Sequence, residues 1–555
     1  MATDYKSEIR KDILKMLMFQ MYPNALVIYR EYVQNALDAI IEALDKGILQ
    51  NLKDGLVTIN ISSKDITIHD NGCGISVKTA ESTLLDVSSS TKNGRAGMFG
   101  IGRLVGAGFC HELIFKTSFK GEAQATVVHF DVDKISEYLN DKEFTDSASV
   151  VIDKTTTVNY IEESVDAHYF EVLLKNVKTE SDSKLLSKAD VVAYLNEVAP
   201  VEYQSQFNNV LIYGSSKDNQ EFYNRHIALE RVQIIVNNTR LQKQYGLKVV
   251  GTGDDIQKLE YFGLNSSKFG ELGWGWFGLT KYSAQIPSSD TLSGIRLRIH
   301  NIEIGDAHLL SGKPFWQEDR GNYYFYGEIH ITNPNILPNS ARDGLAPTAE
   351  KTELESVLIE YFAKLKKLYS KASEARSAIK KVHEGIEEIK AKGLTAKAKD
   401  LINNKGKDKF DKLYRNEPFK PILTMLSFFK PEMDNALQEY KDIIAPPPEP
   451  PVTDLPQPPV VNDPEYPVTG SPQPPVVNDP EYPVTDSPQP PVVPCPPPTI
   501  STDILSPLIG KLEESEIWLI RRIFHVLTEY CPTNERDIKL IESLKKLVIK
   551  DLINQ

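Results

Sequence analysis

Proline is concentrated in one part of the chain, and this constrains the fold more than any other sequence feature. Residues 446–498 contain roughly two thirds of the 34 prolines and repeat a unit that reads PVTDLPQPPVVNDPEY, then PVTGSPQPPVVNDPEY, then PVTDSPQPPVV. Proline lacks a backbone N–H donor and favours the extended polyproline II conformation. We therefore predict a semi-rigid spacer here. Alternatively, the repeats could be a ligand for a proline-binding module, although no other sequence feature indicates such a partner.

A chain of 555 residues is too long for one hydrophobic core, so several domains are expected. The fold class is predicted to be α+β, because strand alternation and helical periodicity are both present. The predicted regions are an α/β domain over 1–203, a second α/β domain over 204–349, a helical or coiled-coil region over 350–445, a proline-rich linker over 446–500 and a small helical module over 501–555.

Alternating apolar residues predict several strands in the first two regions. Alternation at 57–61 and 66–68 predicts a β-hairpin whose second strand ends at Asp70. Strand-like runs recur at 294–299 and 326–331. These runs predict a sheet in each of the two α/β regions.

The third region has a different period. From Leu354 to Ile389, apolar residues are spaced alternately four and three positions apart. This spacing is typical of the heptad seam of a coiled coil or a long helical hairpin, and a coiled coil would make a homodimer plausible. An amphipathic helix that packs on its own chain explains the pattern equally well, and both interpretations stay open.

Composition disfavours several classes of protein. No run of about 18 apolar residues occurs and the N-terminus MATDYKSEIRKD is polar, so neither a membrane helix nor a signal peptide is expected, and a cytoplasmic location is predicted. The four cysteines lack CxxC or Cys/His spacing, which argues against a zinc site or a disulfide framework. A net charge of -13 disfavours nucleic acid as a partner, except at a local basic strip.

The first motif that carries chemistry is REYVQNALDA, residues 30–39, inside a helical stretch. Glu31, Asn35 and Asp38 stand at helical positions i, i+4 and i+7 and therefore share one face. A carboxamide oxygen can ligate a hard cation, and a carboxylate can orient or deprotonate water for attack on phosphate. Taken alone, such a face is more often simply solvated.

Two glycine motifs follow. DNGCGI, residues 70–75, comes directly after a predicted strand and combines a sharp turn with a carboxylate that can accept a hydrogen bond from an exocyclic amine such as that of adenine. GMFGIG, residues 97–102, precedes an apolar run, so its backbone N–H groups can converge on an anion. It is not a P-loop, because GxxxxGK[ST] is absent. Each glycine pattern is weak by itself.

In this order and spacing, the three motifs resemble the N, G1 and G2 boxes of the GHKL ATPase superfamily, over residues 10–120. The resemblance implies an α/β sandwich that binds ATP with Mg²⁺. It implies that Glu31 is the general base, that Asn35 is the protein ligand of Mg²⁺ and that Asp70 anchors adenine. The residues that it assigns to ATP binding are Asn35, Asp38, Asp70, Gly72, Gly74, Ile75, Ser90, Thr91, Lys92, Gly97, Phe99, Gly100, Ile101 and Gly102.

Within the superfamily, the motifs are most similar to those of heat-shock-90 chaperones. The segment LPNSARDGL, residues 337–345, resembles the middle-domain segment that places an arginine on the γ-phosphate, which implies that Arg342 is a second catalytic residue. A surface ion pair of Arg342 with Asp343 or another neighbour is the alternative. The stretch between Thr91 and Gly97 is shorter than a chaperone lid, which puts lid closure in doubt.

The favoured function is an ATP-driven conformational machine of chaperone type, which hydrolyses ATP to ADP and phosphate and acts on protein clients or on a dedicated partner. One alternative is a DNA-acting ATPase of the gyrase or mismatch-repair kind. Those families use a lysine from the second domain and a basic surface, neither of which is evident in the sequence. Another alternative is a non-hydrolysing nucleotide sensor that presents the proline-rich arm.

Overall fold

The computed structural model describes residues 10–16, 18, 24–85, 102–178, 183–216 and 219–445. The chain divides into two units, Met1–Pro450 and Pro451–Gln555, and every described residue belongs to the first unit. The predicted proline-rich linker and the predicted C-terminal helical module therefore lie outside the described residues.

An eight-stranded sheet organises the N-terminal part. Its strands are β1 Leu56–Ile61, β2 Ile66–Asp70, β3 Cys110–Ser118, β4 Gln124–Asp131, β5 Thr156–Glu162, β6 Tyr169–Val177, β7 Gln233–Val236 and β8 Thr239–Arg240. They lie in the order β5-β4-β3-β6-β2-β1-β7-β8. All neighbours are antiparallel except β1 and β7. The predicted hairpin is confirmed, because β1 and β2 pair from Val57 opposite Asp70 to Ile61 opposite Ile66.

Alternation along β2 decides which side chains face the core. Ile66, Ile68 and Asp70 are buried, whereas Thr67 and His69 between them are half-buried. Asp70 therefore lies on the same face of the sheet as the two isoleucines, where helices cover it. The helices of this part are α1 Asp12–Lys15, α2 Val27–Asp45, α3 Val77–Leu85, α4 Val132–Asn140, α5 Ala148–Thr155, α6 Lys188–Val198, α7 Ser205–Phe207, α8 Tyr213–Ser216 and α9 Gln220–Ile227.

Helix α2 is the central helix of this layer. Its apolar residues Val33, Leu37 and Ile40 are buried in one core with the strands of the first sheet. It contacts β2 and also the 3-10 helix Gly102–Phe109. The helix ends just before Gly47, whose φ of 68° is the left-handed conformation common after a helix C-terminus.

A second sheet follows with five strands. They are β9 Lys258–Ser266, β10 Gly270–Leu279, β11 Gly294–Ile299, β12 Ile302–Glu303 and β13 Tyr326–Ile331. Their order is β12-β11-β13-β10-β9. The strands predicted at 294–299 and 326–331 are confirmed, and they pair in parallel as β11 and β13. Every residue of β13 is buried, as expected for a central strand covered on both faces.

The predicted domain boundaries need two corrections. The boundary at residue 203 does not coincide with the edge of the first sheet, because β7 pairs in parallel with β1 and brings β8 with it. The boundary at residue 349 does not separate two cores, because residues such as Phe277 of the second sheet and Leu365 of the helical region share one hydrophobic cluster. The regions 204–349 and 350–445 are therefore packed as one body.

The predicted seam lies on a single long helix, α10 Ala349–Lys392. Thr348 caps its first turn by accepting a hydrogen bond from the backbone N–H of Lys351, and Gly393 follows its last residue. The remaining helices are α11 Ala396–Lys399, α12 Asp408–Tyr414, α13 Lys420–Ser427 and α14 Lys430–Ile444, with a π-helical segment at Asp400–Lys407. These helices and β9 contact α10. The seam is thus buried in the chain's own core, which corrects the coiled-coil interpretation.

A buried ionic network ties the second sheet to the N-terminal part. Glu328 lies 3.0 Å from the Lys243 Nζ and 2.7 Å from the Arg298 Nε. Burial by itself would raise the pKa of Glu328, but these two cations outweigh it and hold the pKa well below its usual range. Arg298 also donates to the carbonyl oxygen of Glu197 in α6, at 2.6 Å. Charged side chains thus fix the second sheet against a helix of the first layer.

We predict that Leu365→Ala lowers the free energy of unfolding by about 2–5 kcal/mol, because this side chain is fully buried in the chain's own core. Urea unfolding followed by circular dichroism measures the loss. The stability of the native chain should not depend on protein concentration, since its own helices cover the seam. A stability that rises with protein concentration would restore the coiled-coil interpretation.

Candidate active site

Helix α2 presents three of the predicted site residues on one face. Glu31 and Asp38 are buried, and Asn35 between them is half-buried. Among the described residues, no hydrogen-bond partner is found for the Asn35 side chain. At a helical rise of about 1.5 Å per residue, Glu31 and Asp38 are roughly 10 Å apart along the axis. The two carboxylates therefore mark the two ends of an elongated site.

The turn after β2 lies at the Asp38 end. Asp70 is buried, and its Oδ1 accepts a hydrogen bond of 2.8 Å from the backbone N–H of Gly72. The backbone N–H of Cys73 donates to the carbonyl oxygen of Ala39 at 3.0 Å. A Cβ on Gly72 would lie 2.5 Å from the Cβ of Ala39. The absence of a side chain at Gly72 thus lets the turn dock directly on α2, one residue beyond Asp38.

Gly74 is required for a second close approach. Its φ is 64°, and a Cβ at this position would lie 1.9 Å from the carbonyl oxygen of Ser118. The next residue, Ile75, donates its backbone N–H to the Thr117 Oγ1 at 2.8 Å. The glycine therefore allows the turn to pack against the end of β3, and the nucleotide contact predicted for it stays a prediction.

Only one residue of the predicted phosphate loop is described. Gly102 begins the 3-10 helix Gly102–Phe109, which packs on α2. The other predicted residues of the lid and the loop, Ser90, Thr91, Lys92, Gly97, Phe99, Gly100 and Ile101, lie outside the described residues. Their assignment to phosphate binding therefore remains a prediction.

Three side chains that sequence reasoning missed hold the site together. The Tyr32 hydroxyl donates to the carbonyl oxygen of Arg103 at 2.9 Å and accepts from the backbone N–H of Gly106 at 3.1 Å. Burial raises the pKa of Tyr32, so the hydroxyl keeps the proton it donates. Thr117 donates to the carbonyl oxygen of Tyr169, and the His168 Nδ1 lies 3.0 Å from the carbonyl oxygen of Gly72. No local pattern marks these residues, because each acts on a partner far away in sequence.

Arg342 lies at the Glu31 end of the site. Its Nε is 3.1 Å from the Glu31 Oε1 and 3.2 Å from the Glu31 Oε2, and both side chains are buried. Arg30 adds a second guanidinium at 3.4 Å from Glu31 and donates to the carbonyl oxygen of Ala341 at 3.2 Å. The predicted base and the predicted catalytic arginine, 311 positions apart in sequence, are therefore in direct contact.

The alternative for Arg342 was an ion pair with its neighbour Asp343. The contacts of Asp343 lead elsewhere. The Asp343 Oδ1 accepts a hydrogen bond of 2.6 Å from the Asn339 Nδ2. Arg342 has a φ of 56°, a left-handed conformation that costs a residue with a side chain about 1–3 kcal/mol. Two backbone hydrogen bonds hold it there, from its own N–H to Asn339 and from the N–H of Gly305 to its carbonyl oxygen. The loop is thus built to direct this side chain at Glu31.

Within the described part of the chain, no group of three His, Cys, Asp or Glu side chains is placed to hold a metal ion. The carboxamide of Asn35 is the one predicted metal ligand on α2. None of the described helices combines the length and the hydropathy that a membrane span requires.

Comparison with known proteins agrees with this geometry. Residues 25–168 match the family model described as Histidine kinase-, DNA gyrase B-, and HSP90-like ATPase. The match supports a GHKL-superfamily ATPase domain. It covers about a quarter of the chain and includes Glu31, Asn35 and Asp70, but it ends before Arg342. No curated protein matches the chain with significance. ATP binding is therefore supported for the N-terminal GHKL part, while the branch of the superfamily stays open.

We predict that Gly74→Ala destabilises the fold by about 2–4 kcal/mol, because the new Cβ would collide with the carbonyl oxygen of Ser118. Gly47→Ala is the matched control, since Gly47 has a similar φ of 68° but nothing within 4 Å of its Cβ position. The control should lose only about 1 kcal/mol, from the left-handed backbone alone. Thermal unfolding measures the stability of both variants. If both lost the same free energy of unfolding, the contact with Ser118 would not require glycine.

A double-mutant cycle on Glu31→Gln and Arg342→Gln tests the ion pair. Each single variant leaves a buried charge with a weaker partner, so the double variant should lose less stability than the two singles combined, by about 1–3 kcal/mol. Urea unfolding without nucleotide measures this coupling. The half-buried i,i+4 pair Lys351 and Glu355 on the surface of α10, at 2.8 Å, is the control and should couple by about 0.3–0.5 kcal/mol. Additive effects at Glu31 and Arg342 would contradict the pairing.

Proposed function

We propose that the protein is an ATP-driven conformational machine of the heat-shock-90 type, which binds Mg–ATP, hydrolyses it to ADP and phosphate, and acts on protein partners in the cytoplasm. The observation that carries the proposal is the contact between Glu31 and Arg342. A general base and an arginine that stabilises the γ-phosphate have to meet at the same end of the nucleotide. Glu31 would supply the base from the helix that covers the first sheet. Arg342 would supply the guanidinium from a loop beside the second sheet.

The two ends of α2 favour one orientation of the nucleotide. Asp70 and the turn that docks beside Asp38 would receive the adenine, and Glu31 would face the γ-phosphate. The contact from Gly72 does not use up the Asp70 carboxylate, because a carboxylate can accept up to about four hydrogen bonds. The 3-10 helix that begins at Gly102 is held on α2 by Tyr32, next to Glu31. A phosphate loop that ends at Gly102 would then lie near the Glu31 end of α2, where the γ-phosphate is proposed to bind.

Asn35 is the residue proposed to hold Mg²⁺. When bound, the ion would neutralise part of the phosphate charge and favour attack at the γ-phosphorus. Mg²⁺ that also takes phosphate oxygens and water needs only one or two protein ligands, so a single carboxamide between the two carboxylates fits this ion. The half-buried Asn35 side chain has no competing hydrogen bond among the described residues.

We infer that Arg342 exchanges Glu31 for the γ-phosphate during the cycle. The terminal phosphate carries more negative charge than a carboxylate, and it offers the guanidinium a charge-assisted, bidentate partner. Once Arg342 has moved, the Glu31 carboxylate can accept a proton from the attacking water, while Arg30 at 3.4 Å keeps it in place. Because the loop of Arg342 is hydrogen-bonded to Gly305 beside β12, this exchange would also displace the second sheet.

We predict separate effects of the two ends of the site. Asp70→Asn should abolish measurable ATP binding, because it replaces one acceptor oxygen of the carboxylate with an amide N–H donor that cannot accept from the adenine amine. Arg342→Ala should keep binding and lower the rate of hydrolysis by roughly 100-fold to 1,000-fold, as expected for a donor that acts mainly on developing charge. Glu31→Ala should also bind ATP and lose turnover. Calorimetric titration of Mg–ATP and a steady-state phosphate-release assay measure the two quantities.

Arg320→Ala is the matched control, since Arg320 is exposed and pairs with Glu318 at 2.5 Å, so its loss should change neither quantity. Tight ATP binding by the Asp70 variant, or unchanged turnover in the Glu31 variant, would contradict the assignment. Stimulation of turnover by DNA would favour the gyrase-like alternative, whereas suppression of the aggregation of an unfolded protein would favour the chaperone-like function.

A further inference from the structure

A cavity of about 360 Å³ lies between α2 and the second sheet, beside the loop of Arg342. Its buried lining includes Gln34, Trp274 and His330, and its rim includes the exposed Thr332. Because Thr332 is exposed, the cavity is reachable from solvent. Among the described residues assigned to the nucleotide site, Arg342 alone borders the cavity, and Glu31, Asn35 and Asp70 do not line it.

Gln34 is the first sign that the cavity is built for a ligand. The side chain is 1% exposed, and both its Nε2 and its Oε1 are buried without a hydrogen-bond partner. A buried carboxamide that loses its water and gains no partner destabilises the fold. An occupant that offers an acceptor beside a donor would satisfy both atoms at once.

The Nδ1 of His330 is a third buried polar atom of the lining, and the contact of the same ring with Glu328 decides whether Nδ1 donates or accepts. Its Nε2 lies 3.2 Å from the Glu328 carboxylate, which can only accept, so the proton is on Nε2. Burial lowers the pKa of His330 to about 4, which leaves the ring neutral at pH 7. The Nδ1 is consequently an acceptor, and it is buried without a partner. The occupant should therefore bring a further donor.

The charged side chains of the lining already have partners. Arg225 pairs with Glu271 at 2.5 Å, His300 pairs with Glu230 at 3.0 Å, and Arg342 pairs with Glu31. A cavity whose charges are matched in this way favours a neutral occupant over a phosphate or another ion. The walls between these groups are apolar, formed by Leu229, Ile304, Ile336, Leu337 and Pro338.

We propose that this cavity binds a small neutral heterocycle of the nucleobase or nucleoside class, through an edge that carries an N–H donor next to a C=O acceptor. Such an edge pairs with the Gln34 carboxamide through two hydrogen bonds, as carboxamides do with base edges. A second N–H or a ribose hydroxyl then donates to the His330 Nδ1. Apolar walls with a few convergent polar groups are typical of small-molecule sites, and the volume is near the lower end of their range of roughly 300–1,000 Å³. The competing occupant is ordered water.

Calorimetric titration of the full chain with uridine, without ATP or Mg²⁺, tests the proposal independently of the ATPase assignment. Uridine should bind, and 3-methyluridine, which lacks the edge N–H, should bind about tenfold more weakly or worse. Gln34→Met keeps the length of the side chain but removes both amide groups. This variant should bind uridine about tenfold more weakly or worse, and its Tm should stay equal or rise, which shows that it folds.

Asp70→Asn is the control for the nucleotide site, and it should bind uridine as the unaltered chain does. Loss of uridine binding in this variant would place the probe in the nucleotide site and overturn the proposal. Equal affinity in the Gln34→Met variant would overturn it as well. The absence of binding by both uridine and inosine up to about 10 mM, a Kd range that corresponds to roughly -3 kcal/mol, would mean that the cavity holds water only.

Discussion

The candidate active site depends above all on the buried ion pair between Glu31 and Arg342. Two charges removed from water are stable only while each has a partner, and the loss of one partner leaves the other at a cost of several kcal/mol. Arg342 can therefore leave Glu31 only for a ligand that brings its own negative charge. This requirement makes the loop of Arg342 selective for an anion before any further contact is made. In the proposed exchange, Arg30, 3.4 Å from Glu31, would hold the carboxylate after Arg342 has left it.

The opposite end of the site is fixed by backbone rather than by charge. Gly72 lies against Ala39, and Gly74 lies against Ser118, at distances that no Cβ would allow. The Asp70 carboxylate is thus attached to a turn that is clamped between α2 and β3. One end of the site is rigid and the other can be switched by charge, which is the arrangement expected of a protein that binds a ligand firmly and responds to its terminal group.

Sequence patterns predicted the elements that are defined locally. The hairpin before Asp70 and the strands at 294–299 and 326–331 were predictable, because alternation depends only on neighbouring residues. The helical seam was also predictable, but periodicity shows which face is buried and not what covers it. That is why the seam by itself left both a coiled coil and a helix packed on its own chain open.

In the candidate site, too, the residue types were predictable from local sequence, but the long-range contacts were not. The motifs identified Glu31, Asn35, Asp70 and Arg342 as residue types suited to the chemistry, yet the pairing of Glu31 with Arg342 spans 311 positions, so no local pattern contains it. For the same reason, local sequence did not predict the contacts of Tyr32, Thr117 and His168. The packing constraint on Gly74 was not predictable either, because it comes from Ser118 on a distant strand.

The parallel pairing of β1 with β7 has a consequence for how the chain is made. Val57 lies opposite Ile234, so the edge of β1 stays open until the chain has been synthesised as far as β7, more than 170 residues later. An open strand edge attracts other strands, and non-local parallel pairing is slow to form. The nascent N-terminal layer therefore presents an unpaired strand edge, prone to pair with other chains, until β7 has been made.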